Sequence, residues 1–405
     1  MPRDDLAAQR SNQRNAVAAC FLGWTLDAFD FFVLTFVLAP IGKDFHRSIL
    51  EISFAITASL FTRPLGAFIF GLIADRYGRR LPLMVDVLFY SAIEVLSGLA
   101  PSYSVFIVLR LLYGIGMGGE WGVGASLALE SVPGKWRGVL SGLLQEGYAF
   151  GYLLAALAYW LIFPHFGWRA MFFVGGLPAL LTIFIRFKVK ESEAWAATAA
   201  RTDWRSYWRS IFKNWKRFAY LVLLMALMNF ISHGTQDLYP RFLQFERGYH
   251  PGTTALVTVI SMIGAIAGGL LIGLYSDLRG RRRAMLVAII LAILLIPVWI
   301  AAPNFALIVA GAFLMQFMVQ GAWGVIPAHI NELSPDALRG FFPGFAYQLG
   351  VLVASFSAPI EAFLGERISY GYAMGIFAAI VLAAGAVAVG LGPEAHGIKF
   401  GREND

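Results

Sequence analysis

Long apolar runs, separated by short polar clusters, make up most of the chain. Twelve of them come close to the roughly 20 residues a helix needs to cross a bilayer core: about 16–40, 49–74, 81–99, 104–130, 138–163, 168–187, 217–240, 252–276, 284–301, 304–330, 340–364 and 369–392, numbered here as segments 1 to 12. The one long connection, 188–216, carries Trp204, Trp208, Phe212 and Trp215 at helical spacing, interleaved with Arg205, Arg209, Lys213 and Lys216. That pattern predicts a helix lying on a membrane surface. The expected fold is an all-α membrane protein of 12 transmembrane helices.

The polar clusters repeat. Gly71-x-x-x-Asp75-x-x-Gly78-Arg79-Arg80, between segments 2 and 3, returns 202 residues later as Gly273-x-x-x-Asp277-x-x-Gly280-Arg281-Arg282. Glu130-x-x-Pro133-x-x-x-Arg137-Gly138 returns at the same offset as Glu332-x-x-Pro335-x-x-x-Arg339-Gly340. A repeat of this kind outranks any local motif. Two parallel-related units of six helices are the layout of a secondary transporter whose substrate sits between the halves. The expected organisation is a tail (1–15), a six-helix bundle (16–187), a linker (188–216), a second bundle (217–392) related to the first by a pseudo-two-fold, and a tail (393–405).

Composition sharpens this reading. Hydrophobic residues make up 58%, charged residues 14%, and mean hydropathy is +0.66, far from soluble domains. Residues 1–15 are hydrophilic and lead into a full-length apolar run, so they read as an inner-side tail, not a cleaved signal. With that orientation 24 of the 32 Lys and Arg fall on the inner side and 6 on the outer, a positive-inside bias. The net charge of +7 then reflects topology, and nucleic-acid binding is not needed to explain it. The single Cys20 excludes an internal disulfide. Gly114-x-Gly116-x-x-Gly119 matches a dinucleotide fingerprint only by letter, since no strand precedes it.

The duplicated Gly-x-x-x-Asp-x-x-Gly-Arg-Arg loop resembles the signature loop of the major facilitator superfamily. Segment 7 carries a second resemblance: Asn229-Phe230-Ile231-Ser232-His233-Gly234-Thr235-Gln236-Asp237 is similar to the Asn-x-x-Ser/Thr-His-x-Ser/Thr-Gln-Asp signature of lactate/pyruvate:proton symporters, a branch of the sialate:proton symporter family. That family pattern usually continues to a Thr where this chain has Arg241, and sialate carriers typically add two central helices for which this chain has no room. The resemblance extends to Asp27-Ala-Phe-Asp30, Gly119-Glu120-Trp121-Gly122 and Gln320-Gly-Ala-Trp-Gly. It implies interdomain latches of charge and helix dipole at the inner ends, with Asp75, Arg79, Glu130, Arg137, Asp277, Arg281, Glu332 and Arg339 as gating candidates. Positive charge that merely anchors topology is the plainer reading for the flanking arginines. Arg110 matches the superfamily's segment 4 arginine and reads as structural or coupling.

Comparing the two copies sorts the remaining candidates. Asp27 faces Asn229, Asp30 faces Ser232, Arg63 faces Ala265, Arg110 faces Ala312 and Glu120 faces Ala322, so charge is concentrated in the first half. A charge in mid-bilayer needs a partner or a wet cavity. At 1.5 Å per residue, Arg63 lies roughly 18 Å and Glu120 roughly 15 Å from the inner surface. Arg63 offers a fixed fork suited to a carboxylate, or else a partner for Asp27 or Glu120. Asp27 and Asp30, one turn apart, and Glu120 are candidate proton carriers, or alternatively interhelical hydrogen-bonding groups. His233 reads as the one histidine of six well inside a segment. With Asp237 one turn on it suits proton coupling or anion affinity. Asn229, Ser232, Gln236 and Gln320 are candidate substrate contacts, or interhelical glue. Asp86, Glu94 and Glu146 are unmatched charges with no account from sequence.

The expected function is proton-coupled symport of a small monocarboxylate, L-lactate or pyruvate, by alternating access. The alternatives are another organic acid (a dicarboxylate, an aromatic acid or sialate) or a nutrient receptor on a transporter scaffold. No metalloprotease, nucleophile-elbow or phosphate-loop motif points to an enzyme, and no cofactor or metal is expected. The partners implied are a small organic anion, a proton and the lipid bilayer. The protein is expected to act as a monomer in the cell membrane with both termini inside.

Overall fold

The computed structural model describes residues 3–199 and 203–401. The ends of the two expected tails, 1–2 and 402–405, and linker residues 200–202 lie outside the described residues. Among those described, the secondary structure is entirely helical. The twelve spans are α1 (Arg3–Phe36), α2 (Ile49–Tyr77), α3 (Arg80–Gly98), α4 (Tyr103–Ser131), α5 (137–166), α6 (168–174 and Ala179–Lys188), α7 (Trp215–Gln236), α8 (Pro251–Arg279), α9 (Arg281–Ala301), α10 (Phe305–Leu333), α11 (Phe342–Ala354 and Ser357–Ile368) and α12 (Tyr370–Leu391). α1 to α6 form one bundle and α7 to α12 the other.

Length and apolarity alone mark nine membrane-crossing stretches among the described residues. Three causes reconcile nine with twelve. α5 and α6 run together because Gly167, at φ +72°, turns the chain without ending its hydrogen-bonded run. α11 is broken at Ser355–Phe356 into two short pieces. α4 is rich in glycine and carries Arg110 and Glu120, which keeps it outside the nine.

Local chemistry sets the ends. Ser102 and Asn304, 202 residues apart, cap the first turns of α4 and α10 by accepting from Val105 and Leu307 N–H. Ser48 and Glu51 form a reciprocal capping box at the start of α2. In the repeated loops Gly78 and Gly280 take φ +99° and +95°, a conformation that costs a side chain-bearing residue dearly. The glycine of each signature therefore makes the turn that starts α3 and α9. The linker holds two short helices, Glu193–Ala199 and Trp204–Lys213. Trp204, Trp208 and Phe212 are exposed on the second, and Trp215 already belongs to α7.

The bundles meet along a seam at the face carrying the repeated basic loops, called here the basic face. Asp75 accepts from Gly340 N–H at 2.6 Å and Phe341 N–H at 3.1 Å, at the entry to α11. Asp277 accepts from Gly138 and Val139 N–H at 2.7 and 2.9 Å, in the first turn of α5. Each aspartate therefore caps a helix of the opposite bundle. Arg79 holds Asp75 at 2.6 Å and Glu130 at 3.0 Å, and Arg281 holds Asp277 at 2.7 Å and Glu332 at 2.9 Å. Arg339 approaches Glu130 at 3.5 Å and Arg137 approaches Glu332 at 3.6 Å, both across the seam. Further in, Gly122 and Gly344 meet backbone to backbone, where a Cβ on Gly122 would stand 2.5 Å from the Gly344 Cα.

Two straps reinforce the seam. After α6, Glu191 accepts from the N–H groups of Arg79 and Arg80, and the Trp195 indole donates to the Asp75 carbonyl. After α12, Glu394 accepts from Arg282 N–H and a His396 ring nitrogen meets the Asp277 carbonyl at 3.2 Å. The second strap goes further: Phe400 lies between Arg137 of one bundle and Arg339 of the other, at 3.4 and 3.7 Å from its ring centre. Phe400→Ala should therefore loosen the basic face. Cys20 of the first bundle and Pro327 of α10 line one small cavity, so alkylation of Cys20 by N-ethylmaleimide should accelerate several-fold in the variant, while an unchanged rate would show that the strap does not hold the seam.

Candidate functional site

Above the seam, the first bundle encloses an unusual set of charges. Asp27, Asp30, Asp86 and Glu120 are buried with both carboxyl oxygens lacking a hydrogen-bond partner among the described residues. α1 brings Asp27 and Asp30, α3 brings Asp86 and Glu94, and α4 brings Arg110 and Glu120. Arg63, on α2, is buried beside them with its Nε and Nη2 unpaired, because Gly118 allows α4 to pack directly on the Arg63 backbone. Asp27, Arg63 and Glu120 lie within electrostatic reach of one another.

Arg110 sits apart from that trio. It binds Glu94 at 2.7 Å, also donates to Ser97, and is surrounded by the rings of Phe106, Tyr113 and Phe172. The charge on Glu94, unexplained in the sequence, is the counterpart of Arg110. Glu146 lies on the seam, where a Cβ on Gly269 of α8 would stand 2.5 Å from its Oε1. Asp86 joins the unpartnered group.

In the second bundle, α7 presents the predicted polar row. His233 Nδ1 lies 3.2 Å from an Asp237 oxygen, and these side chains are 42% and 37% exposed, so they are accessible toward the face opposite the seam. Asn229 is buried and donates to the Met225 carbonyl one turn back. Ser232 accepts from Gln320 at 2.9 Å, and Gln236 donates to Gln316 at 2.8 Å. The structure thus brings Ser232 and Gln236 to the α7–α10 contact, on Gln320 and Gln316, while Asn229 bonds within α7. Arg241, at the departure from the family pattern, stacks on Phe245 and Tyr370, away from this row.

Between the halves lies a floor of aromatic rings. Tyr347 of α11 packs on Trp121 at 4.3 Å, on Trp323 at 5.9 Å and on Trp24 at 6.5 Å, and Trp24 stacks on Tyr148 at 5.8 Å. The Arg63 guanidinium stands 5.9 Å from the Tyr347 ring centre. Trp121 and Trp323 entered the sequence reading only as parts of the family resemblance, and Trp24, Tyr148, Tyr347 and Gln316 went unrecognised, because tryptophans and tyrosines in apolar helices look like packing. His233 is also not the one histidine within a helix, a correction to the sequence reading. α10 continues to Leu333 and buries His329 completely, whereas the apolar run that predicted it stops at about 330.

The family model for the Major Facilitator Superfamily matches residues 20–251 and 238–401. The chain belongs to that superfamily. As a major facilitator protein it is a transporter by family, not an enzyme. A carboxylic acid transporter protein homolog of Saccharomyces cerevisiae is 30% identical over 86% of this chain, which spans 60% of that relative's length. The sialic acid transporter NanX of Escherichia coli is 30% identical over 92% of this chain and 91% of its own length. The cis,cis-muconate transport protein of Acinetobacter baylyi is 28% identical over 93% and 96%. The solved structure of the proton:xylose symporter XylE bound to 6-bromo-6-deoxy-D-glucose superposes with a TM-score of 0.76, covering 97% of this chain and 98% of that one at 18% identity, a likeness of fold.

Removing one partner of a buried ion pair strands the other at a cost of about 3–5 kcal/mol. Arg110→Met should therefore lower the melting temperature in detergent markedly, and Arg110→Met combined with Glu94→Gln should recover most of the loss. Equal losses in the single and double variants would show that the ion pair is not what Arg110 supplies.

Proposed function

We propose that this major facilitator protein carries a small organic acid anion together with a proton, by alternating access across the cell membrane. The observation that carries the reading is Arg63, a buried guanidinium with free donors, set beside the aromatic floor and within reach of the unpaired carboxyls of Asp27 and Glu120. A guanidinium binds a carboxylate bidentately and cannot lose its charge. A buried carboxyl without a partner is a place where a proton removes an otherwise costly charge. In this reading the substrate carboxylate is drawn to Arg63, and a proton carried by Asp27, Asp30 or Glu120 keeps the loaded bundle neutral.

His233 and Asp237 stand at the accessible entrance, suited to guiding the anion and passing a proton. Asn229, Ser232, Gln236 and Gln320 are fit to bond a hydroxyl or carbonyl beside the carboxylate. The paired Asp–Arg–Glu sets at the basic face act as the gate that must open for release. We place that face in the cytoplasm, with both termini, on the strength of the basic loops.

The segment 7 motif, with its likeness to lactate/pyruvate:proton symporters, favours L-lactate or pyruvate. The named relatives, carriers of carboxylic acid, sialic acid and muconate, support the wider reading, in which the substrate is another organic acid such as a dicarboxylate, an aromatic acid or sialate. The aromatic floor beside Arg63 suits a flat acid in particular.

Uptake of labelled L-lactate into proteoliposomes, with and without an inward proton gradient, tests this, with pyruvate, succinate, benzoate and sialate as competitors. Gradient-driven uptake blocked by pyruvate alone establishes the monocarboxylate reading, and block by benzoate or succinate moves the substrate to the wider class. No uptake of any of these acids, offered in labelled form to folded protein, would overturn the proposal. Arg63→Lys, which keeps the charge and loses the fork, should raise KM at least tenfold. His233→Ala should weaken acid-driven uptake with the fold intact.

A further inference from the structure

One buried acid lies outside the first bundle altogether. Glu361, on the outer piece of α11, is fully buried, and both of its carboxyl oxygens lack a hydrogen-bond partner among the described residues. It points at α7. A Cβ on Gly234 would stand 3.2 Å from Glu361 Oε1, so the carboxyl rests against the α7 backbone at the residue next to His233. The Phe377 ring of α12 lies on the same side of Gly234 as the carboxyl and packs edge-on against Phe230.

Among the described residues no cation pairs with this acid. α7 offers Asp237, which is within electrostatic reach and has the same sign, and His233, whose ring is directed to Asp237. The only titratable side chains of α12 are Tyr370 and Tyr372, and on its own helix Arg367 follows six residues later. The position 202 residues earlier is Tyr159, stacked between Phe36 and Phe163. The repeat therefore shows that an acid is not required to fold this part of a bundle. An unpartnered buried carboxyl is costly when ionised, and a bound proton is the simplest relief.

Its place makes that proton conditional on α7. The helix ends at Gln236 and resumes as the short helix Tyr239–Phe245, so its outer end, with His233 and Asp237, can move as a unit against α11. Movement that uncovers Glu361 allows the proton to leave, and return re-buries the carboxyl. We propose that Glu361 is a second proton-bearing residue, in the C-terminal bundle, whose occupancy is coupled to the position of the outer end of α7. This deepens the proton-driven reading above and rests on it.

The test needs no substrate, so it can fail separately from the uptake assay. In full-length protein with Cys20→Ser, spin labels at Lys43→Cys and Gln244→Cys, both exposed near the end opposite the seam, report the separation of the short helix Leu38–Asp44, which follows α1, from the segment following α7. Their distance distribution is followed by double electron–electron resonance from pH 5 to pH 9 in nanodiscs. In the parent protein the population of long distances should change with pH. Glu361→Gln, a neutral isostere of the protonated acid, should flatten that dependence toward the low-pH distribution, and Glu361→Asp should keep a pH dependence with a displaced midpoint. A Glu361→Gln curve superimposable on the parent, or a parent with no pH dependence, would overturn the proposal. Should the Gln variant fail to fold, an Asp variant with an undisplaced midpoint would do the same.

Discussion

The seam between the bundles depends on two aspartates that reach across it. Asp75 and Asp277 are each held within their own bundle by one arginine and also accept from the first backbone N–H groups of a helix in the other bundle. A carboxylate at a helix N-terminus gains from hydrogen bonds and from the helix dipole, together worth up to about 2 kcal/mol in partly buried settings. Those bonds vanish when the bundles part, but the arginines remain, so the aspartates are not left wholly unpaired. A seam built this way can be strong while closed and still affordable to open. The cross-seam contacts of Arg137 and Arg339, to Glu332 and Glu130, would be broken by the same separation of the bundles.

That logic explains what the amino-acid sequence made visible. The two loop signatures, their 202-residue offset and the apolar runs all follow from local needs: a positive-φ glycine at 78 and 280, a cap at 102 and 304, twenty apolar residues to cross lipid. Such needs are written in short stretches and can be read one at a time. The partners of Asp75 are another matter, because Gly340 lies 265 residues away and a backbone N–H leaves no trace in residue identity. Apolar runs also conceal breaks. Nothing in the hydrophobicity of 340–364 separates the two pieces of α11, and the turn at Gly167 sits between two runs without ending the hydrogen-bonded helix.

The candidate site was legible where chemistry stood against its background and invisible where it did not. A charge in an apolar helix is conspicuous, so Arg63, Asp27 and Glu120 stood out, and comparing the halves set them apart from the repeated residues. Tyr347, Trp121 and Trp24 resemble core residues until the structure lays them beside a guanidinium. Gln316 is neutral and its bond to Gln236 joins two helices far apart in sequence. Glu94 became intelligible only as the counterpart of Arg110, because an ion pair has two ends and the sequence does not say which ends meet.

The symmetry of the seam and the asymmetry of the interior divide the labour between the halves. At the basic face the two copies repeat the same Asp–Arg–Glu contacts, so the seam is a property of the repeat. Above it, the first bundle holds a group of buried acids and arginines, whereas the second offers amides, hydroxyls, an accessible imidazole–carboxylate pair and the single buried acid Glu361. The straps break the symmetry once more. Tyr207 of the linker donates to Asp75 at 2.9 Å, tying one latch to an amphipathic helix with exposed tryptophans, while the other latch is reinforced by a tail whose Phe400 spans both bundles. In the proposed cycle a force that lifts the linker helix pulls on one aspartate alone, and a gate whose two latches release together would be biased by that single attachment.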